Sequence, residues 1–152
     1  MLNLVLVLAF GLALFTAGWW ASAPMHWLWR WMFRLAVLTM IAGLSLPPAA
    51  IGWVRDRLSL LVPLAREVSE SPGTSYLVHF FLFLVVSALL FWFRQDLGRR
   101  RLLAAMVVLA FLMEGVQLLV DGRFASWWDV LANLTGVAVA AAVWVGKAAT
   151  GR

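Results

Sequence analysis

The sequence predicts an all-α membrane protein: a bundle of five transmembrane helices, with an amphipathic helix on the outer surface between the second and third. Three observations carry this expectation. Apolar residues make up 64% of the 152, charged ones 12%, and the mean hydropathy is +0.94. A soluble domain of this size needs far more polar surface. The apolar residues fall in runs that approach the ~20 residues needed to cross a bilayer. The arginines, finally, gather at the ends of those runs.

The first run, Leu2–Trp20, has no basic residue before it. Although Ala21-Ser22-Ala23 has the small-residue form of a cleavage site, the segment therefore reads as a retained helix. The second, Trp31–Leu46, carries Arg34 near its start and ends at Pro47-Pro48, which cannot continue a helix. The third is Tyr76–Phe93, the fourth Leu102–Val120 and the fifth Trp128–Gly146. In lipid each must be helical, because backbone donors and acceptors find no partner in hydrocarbon. Between the second and third runs, Ile51, Val54, Leu58, Leu61 and Val62 recur at helical spacing, with Arg55, Asp56 and Ser59 elsewhere on the wheel. That pattern predicts a helix lying on the surface, either a connector or a lid over a site below. No repeat or low-complexity linker interrupts the chain, so residues 1–152 form one domain. The absence of cysteine excludes disulfides and thiolate metal sites.

With the amino terminus outside, the inner loops carry Arg30, Arg34, Arg94, Arg99, Arg100, Arg101, Lys147 and Arg152, and the outer loops carry Arg55, Arg57, Arg66 and Arg123. The positive-inside rule favours this orientation. The net charge of +5 is thus a matter of topology, and it does not indicate a nucleic-acid partner. His26–Arg34, rich in tryptophan, fits a belt at the inner headgroups, with His26 as part of that belt.

The same topology collects polar residues beneath the outer face. His79 lies one turn inside the start of the third run, Glu114 and Gln117 share a face near the end of the fourth, and Arg123 is in the short turn that follows. Asp129 and Asn133 stand four apart where the fifth run re-enters. Charges buried in hydrocarbon cost several kcal/mol, so such groups normally face a protein interior or a wet cavity. A pocket open to the outer leaflet follows. Each residue also has a structural explanation. Ser126-x-x-Asp129 has the form of a capping box, and Arg123 could anchor its turn at the headgroups. Asn133 could bond a neighbouring helix, while Ala132, Gly136 and Ala140 form a small-residue packing stripe. Glu114 is the hardest to explain this way. A carboxylate so placed needs a partner, and Arg123 or His79 is the expected one.

Taken in order, His79-Phe80, then Glu114-x-x-Gln117, then Gly122-Arg123-Phe124-x-Ser126-x-x-Asp129-x-x-x-Asn133-x-x-Gly136 resembles the VanZ-like family of bacterial membrane proteins. The resemblance covers about Leu35 to Trp144, which leaves the first helix as an addition to a four-helix core. It departs from the family's Asp-Lys-x-x-His at the third helix, where Ser75 and Tyr76 stand in place of Asp and Lys. It implies a protein of the bacterial cytoplasmic membrane, linked through the family's founding member to resistance to the glycopeptide teicoplanin. It also implies kinship with membrane enzymes that act on lipid headgroups.

Two functions suit these residues. One is hydrolysis or transfer of the head group of a phospholipid or polyprenyl-linked envelope molecule. Glu114, His79 and Asp129 would be its catalytic groups and Arg123, Gln117 and Asn133 its substrate contacts, with Arg123 holding a phosphate by paired hydrogen bonds. The other is a non-catalytic module that binds envelope precursors or a partner protein. No G-x-S-x-G element and no strong metal-ligand spacing occurs, and no cofactor is required, though a carboxylate-rich site could hold Mg²⁺ weakly.

Overall fold

All regular secondary structure among the described residues is helical, as backbone satisfaction in an apolar solvent demands. The computed structural model describes residues 1–61 and 73–149, with the side chains of 55, 58–61 and 147–149 left out of the description. Helix α1 runs Leu2–Ala21, α2 Trp27–Ser45, α3 Pro48–Leu61 and α4 Thr74–Phe93. A 3-10 turn at Gln95–Leu97 leads into α5, Arg99–Gln117, and α6 follows at Trp127–Ala149.

Three of these, α1, α4 and α6, are long and apolar enough to cross a membrane on their own. Helices α2 and α5 do not meet that measure, and the reason is local. Arg30 and Arg34 lie in the first half of α2, while α5 opens on Arg99-Arg100-Arg101 and carries Glu114. The outer surface is nonetheless apolar. Leu4, Val5, Leu8 and Leu12 of α1 are exposed, as are Leu77 and Phe81 of α4 and Val139 and Val143 of α6. Such a surface suits lipid.

The most extensive pairing joins α4 to α6, and Gly136 explains it. A Cβ built there would stand 2.5 Å from the Phe80 carbonyl oxygen and 2.9 Å from the Leu84 nitrogen. Only a residue without a side chain lets the two backbones meet so closely. Gly18 does the same more gently for α1 against Val37 of α2. Helix α4 is the hub: its Phe83, Val86 and Phe91 pack in one core with Val37 and Met40 of α2, Met106 of α5 and Val137 of α6.

The two ends of the bundle differ in chemistry. At one end arginines grip the end of α1. Arg34 stacks on Trp19 and donates to Ser22 Oγ at 3.0 Å, and Arg30 donates to the carbonyls of Ala23 and Met25. Arg94, nearly buried, lies over Trp20 and makes a two-pronged pair with Asp96, both bonds 2.9 Å. His26 stands ahead of α2, its ring beside that of Trp27. The opposite end holds the junction of α2 with α3, the start of α4, the end of α5 and the start of α6.

The amphipathic segment is helical as far as Leu61, beginning on Pro48, a first-turn position where the missing N–H costs nothing. Ile51 and Val54 of this helix face a cavity, described next. Val62 lies outside the described residues.

Candidate active site

The polar residues singled out in the sequence do converge, at the end of the bundle away from the arginine cluster. Their positions follow from local structure. Helix α5 stops at Gln117, not Val120, and Leu118–Val120 continue as turn. Glu114 is therefore in the helix's last turn, nearer its end than the apolar run suggests. The chain then reverses at Val120–Arg123, closed by a bond from the Arg123 N–H to the Val120 carbonyl at 3.1 Å. Gly122 takes a φ of +78° there, a conformation that glycine adopts without steric cost.

That reversal throws Arg123 across to the end of α2. Its guanidinium donates through Nη2 to the carbonyl oxygens of Gly43 and Leu46. These are terminal carbonyls with no partner inside the helix, and a cation is favoured at that pole of the dipole. Arg123 is thus a cap on α2 and forms no ion pair with Glu114. Burial draws its proton affinity down, and the nearby carboxylates of Glu114 and Asp129 pull the other way. Its Nε hydrogen is buried without a partner.

Glu114 finds other company. Oε2 accepts the backbone N–H of Ser126 at 3.3 Å, and Oε1 lies 3.7 Å from His79 Nδ1 with no hydrogen bond of its own. This rearranges the expected capping box. Ser126 Oγ accepts the Trp128 N–H, one residue short of the Asp129 N–H the box calls for, so it caps the helix without making the box's first half. The second half would have Asp129 accept the Ser126 N–H. Glu114, from a different helix, takes that place. Asp129 is released and instead accepts from Ser75 Oγ at 3.4 Å. Asn133, fully buried, bonds His79 Nδ1 through Oδ1 at 3.1 Å and leaves its Nδ2 unpartnered. His79 is accordingly held by Asn133 and Glu114, not by Asp129.

One ligand atom each from His79, Glu114 and Asp129 falls within 4.8 Å of the others. Three helices supply these three groups. Beside them opens a cavity of about 550 Å³ between α2, α3, α4 and α5. His79, Ser75, Gln117 and Arg123 reach its wall, along with Thr39 and Thr74. The rest of the lining is largely apolar, including Ile51 and Val54 from α3. Glu114, Asp129 and Asn133 stand behind that wall. Of the six residues expected from sequence, three line the cavity and three support it. Ser75 was visible only as a departure from a family pattern, and nothing in its local sequence marked it as Asp129's partner. No protein-family model matches this chain, and no curated protein or solved structure does either.

Proposed function

We propose that the chain is an integral protein of the bacterial cytoplasmic membrane, VanZ-like in its site residues, with five membrane-crossing helices, its amino terminus outside and its carboxyl terminus inside. The cavity would then open to the outer leaflet, under α3 as a lid. There it takes the head group of a phosphate-bearing or lipid-linked envelope molecule and hydrolyses or transfers it. One observation carries this reading: His79 reaches the cavity wall while its Nδ1 is fixed by Asn133 and faced by a buried carboxylate. With Nδ1–H donating to Asn133, Nε2 keeps its lone pair and serves as general base. It takes the proton of a water or acceptor hydroxyl as that oxygen attacks phosphorus, and returns it to the ester oxygen that leaves as the old P–O bond breaks. Glu114 favours the imidazolium that forms, as an acid behind a catalytic histidine does. Arg123 and Gln117 contact the phosphate oxygens from the wall, and the apolar lining takes the first carbons of the chain.

The test is lipid. Total phospholipids and polyprenyl-linked precursors are compared in membranes containing the wild-type chain, Glu114→Gln or His79→Ala, at matched protein abundance. A head-group species that changes with the wild type and reverts in both variants supports the reading. Identical profiles in all three sink it, and binding of a precursor without turnover transfers the site to recognition. Teicoplanin susceptibility measured on the same strains reports whether the chemistry reaches the glycopeptide's target.

A further inference from the structure

We infer that His79, Glu114 and Asp129 form a binding site for one divalent transition-metal ion, of the Zn²⁺ or Mn²⁺ kind, with the Asn133 carboxamide oxygen as a fourth ligand. Charge is the first argument. Glu114 is 3% exposed and Asp129 8%, yet among the described residues the only cation within ion-pair distance of either is His79, beside Glu114, and only when it is protonated. Arg123 is turned away, onto the carbonyls of α2. A divalent ion neutralises both carboxylates while leaving the imidazole neutral, the form in which it ligates.

The orphaned atoms are the second argument. Glu114 Oε1 is buried without a hydrogen bond and points at His79. Buried polar atoms are almost always satisfied, and an unmodified exception asks for an explanation, an ion being one. Distances are the third. Ligands about 2.0–2.2 Å from a common ion stand roughly 3–3.5 Å from one another. Nδ1 to Asn133 Oδ1 is 3.1 Å and Nδ1 to Glu114 Oε1 is 3.7 Å, while the whole three-residue set spans at most 4.8 Å. The widest gap exceeds that ligand spacing by about an ångström. To ligate, Nδ1 gives up its hydrogen and Nε2 keeps one, so the general-base role proposed above belongs to the metal-free chain, and Asn133 Oδ1 turns from acceptor to ligand.

The donor set selects the metal. One imidazole and three oxygens suit Zn²⁺ or Mn²⁺, whereas Mg²⁺ and Ca²⁺ prefer oxygen alone. No ligand spacing was legible along the chain because the four residues come from three helices. An ion here would sit behind the cavity wall, to whose lining His79 alone of the four ligands belongs.

The full-length chain, purified in detergent and stripped with EDTA, is dialysed against Zn²⁺ or Mn²⁺ and its metal content measured. About one equivalent per chain is expected, with the affinity of Glu114→Gln and Asp129→Asn each at least ~10-fold weaker and that of His26→Ala unchanged. A wild type that retains no metal overturns the proposal, as does loss of binding in His26→Ala. So does wild-type affinity in both carboxylate variants. Should neither carboxylate variant fold, pulsed electron paramagnetic resonance of Mn²⁺ on the wild type decides the matter: coupling to one imidazole nitrogen supports the site and its absence refutes it. No substrate is present in either measurement. A failure here therefore leaves the head-group reading standing, and the lipid comparison can fail without touching this result.

Discussion

Glu114 accepts the backbone N–H of Ser126 across the turn between α5 and α6, at 3.3 Å. One side chain thereby joins two helices and fixes the entry of the second, because Ser126 is the residue that caps α6. Removing it should uncouple those helices as well as empty the site. Leaving a fully buried donor unsatisfied costs about 1–3 kcal/mol, and the part-buried Ser126 N–H falls at the lower end. Glu114→Ala is expected to lose that much in detergent unfolding experiments. Glu114→Gln retains an acceptor oxygen and should lose less than half as much. Equal losses in the two variants would show that the Ser126 bond contributes nothing.

Gly136 should tolerate no side chain. Alanine there meets the backbone of α4 at Phe80 and Leu84, atoms that cannot step aside as a flexible side chain can. Overpacking of a tight interface typically costs about 1–3 kcal/mol, and Gly136→Ala is expected at the upper end. Gly115, on α5, has open space around its Cβ position. Gly115→Ala should be neutral or more stable by up to about 1 kcal/mol, from helix propensity alone. Thermal unfolding of the pair, side by side, is the measurement. Similar outcomes for both would contradict the close approach of α4 and α6.

Acid should loosen the other end of the bundle first. The Arg94 guanidinium, hydrogen-bonded to Asp96, holds that carboxyl below its ordinary value of 3.8. A carboxyl with a depressed folded value contributes stability that is full above the unfolded value and gone below the folded one. The contribution should therefore be intact at neutral pH and decline as the pH falls beneath 3.8. Asp96→Asn should flatten this limb of the stability profile and leave the limb above pH 5 parallel to wild type. A limb of unchanged slope would place the acid sensitivity elsewhere.

Sidedness has a direct readout, because the chain has no cysteine to interfere. Asp121 and Arg100 are both exposed, at opposite ends of the bundle. Asp121→Cys should react with a membrane-impermeant maleimide in spheroplasts, and Arg100→Cys only after permeabilisation. Labelling at least ~10-fold in favour of the first is expected if basic residues are retained inside. The reverse pattern would turn the cavity toward the cytoplasm.

The run structure of the sequence was enough to locate the helices. Leu2–Ala21 and Thr74–Phe93 differ from the expected segments by a residue or two, since continuous apolarity leaves little freedom where lipid forbids an unpaired backbone. Helix α2 begins four residues earlier than expected, at Trp27 instead of Trp31, because Arg30 finds carbonyl partners at Ala23 and Met25 and need not end the helix. Helix α5 ends earlier than its apolar run, because the turn through Gly122 starts before hydropathy falls.

By itself, then, the sequence determined an apolar helical chain and brought six polar residues to one end of it, because alternating direction sets the depth of every position. Depth is a one-dimensional property and can be counted along the chain. Partnership is not. That Glu114 meets Ser126 and His79, that Asp129 meets Ser75, and that Arg123 leaves them both for the end of α2 depends on how each helix is rotated about its axis. The contact at Gly136, where two backbones close to a distance no side chain allows, sets that rotation for α4 against α6, and only the folded bundle contains it.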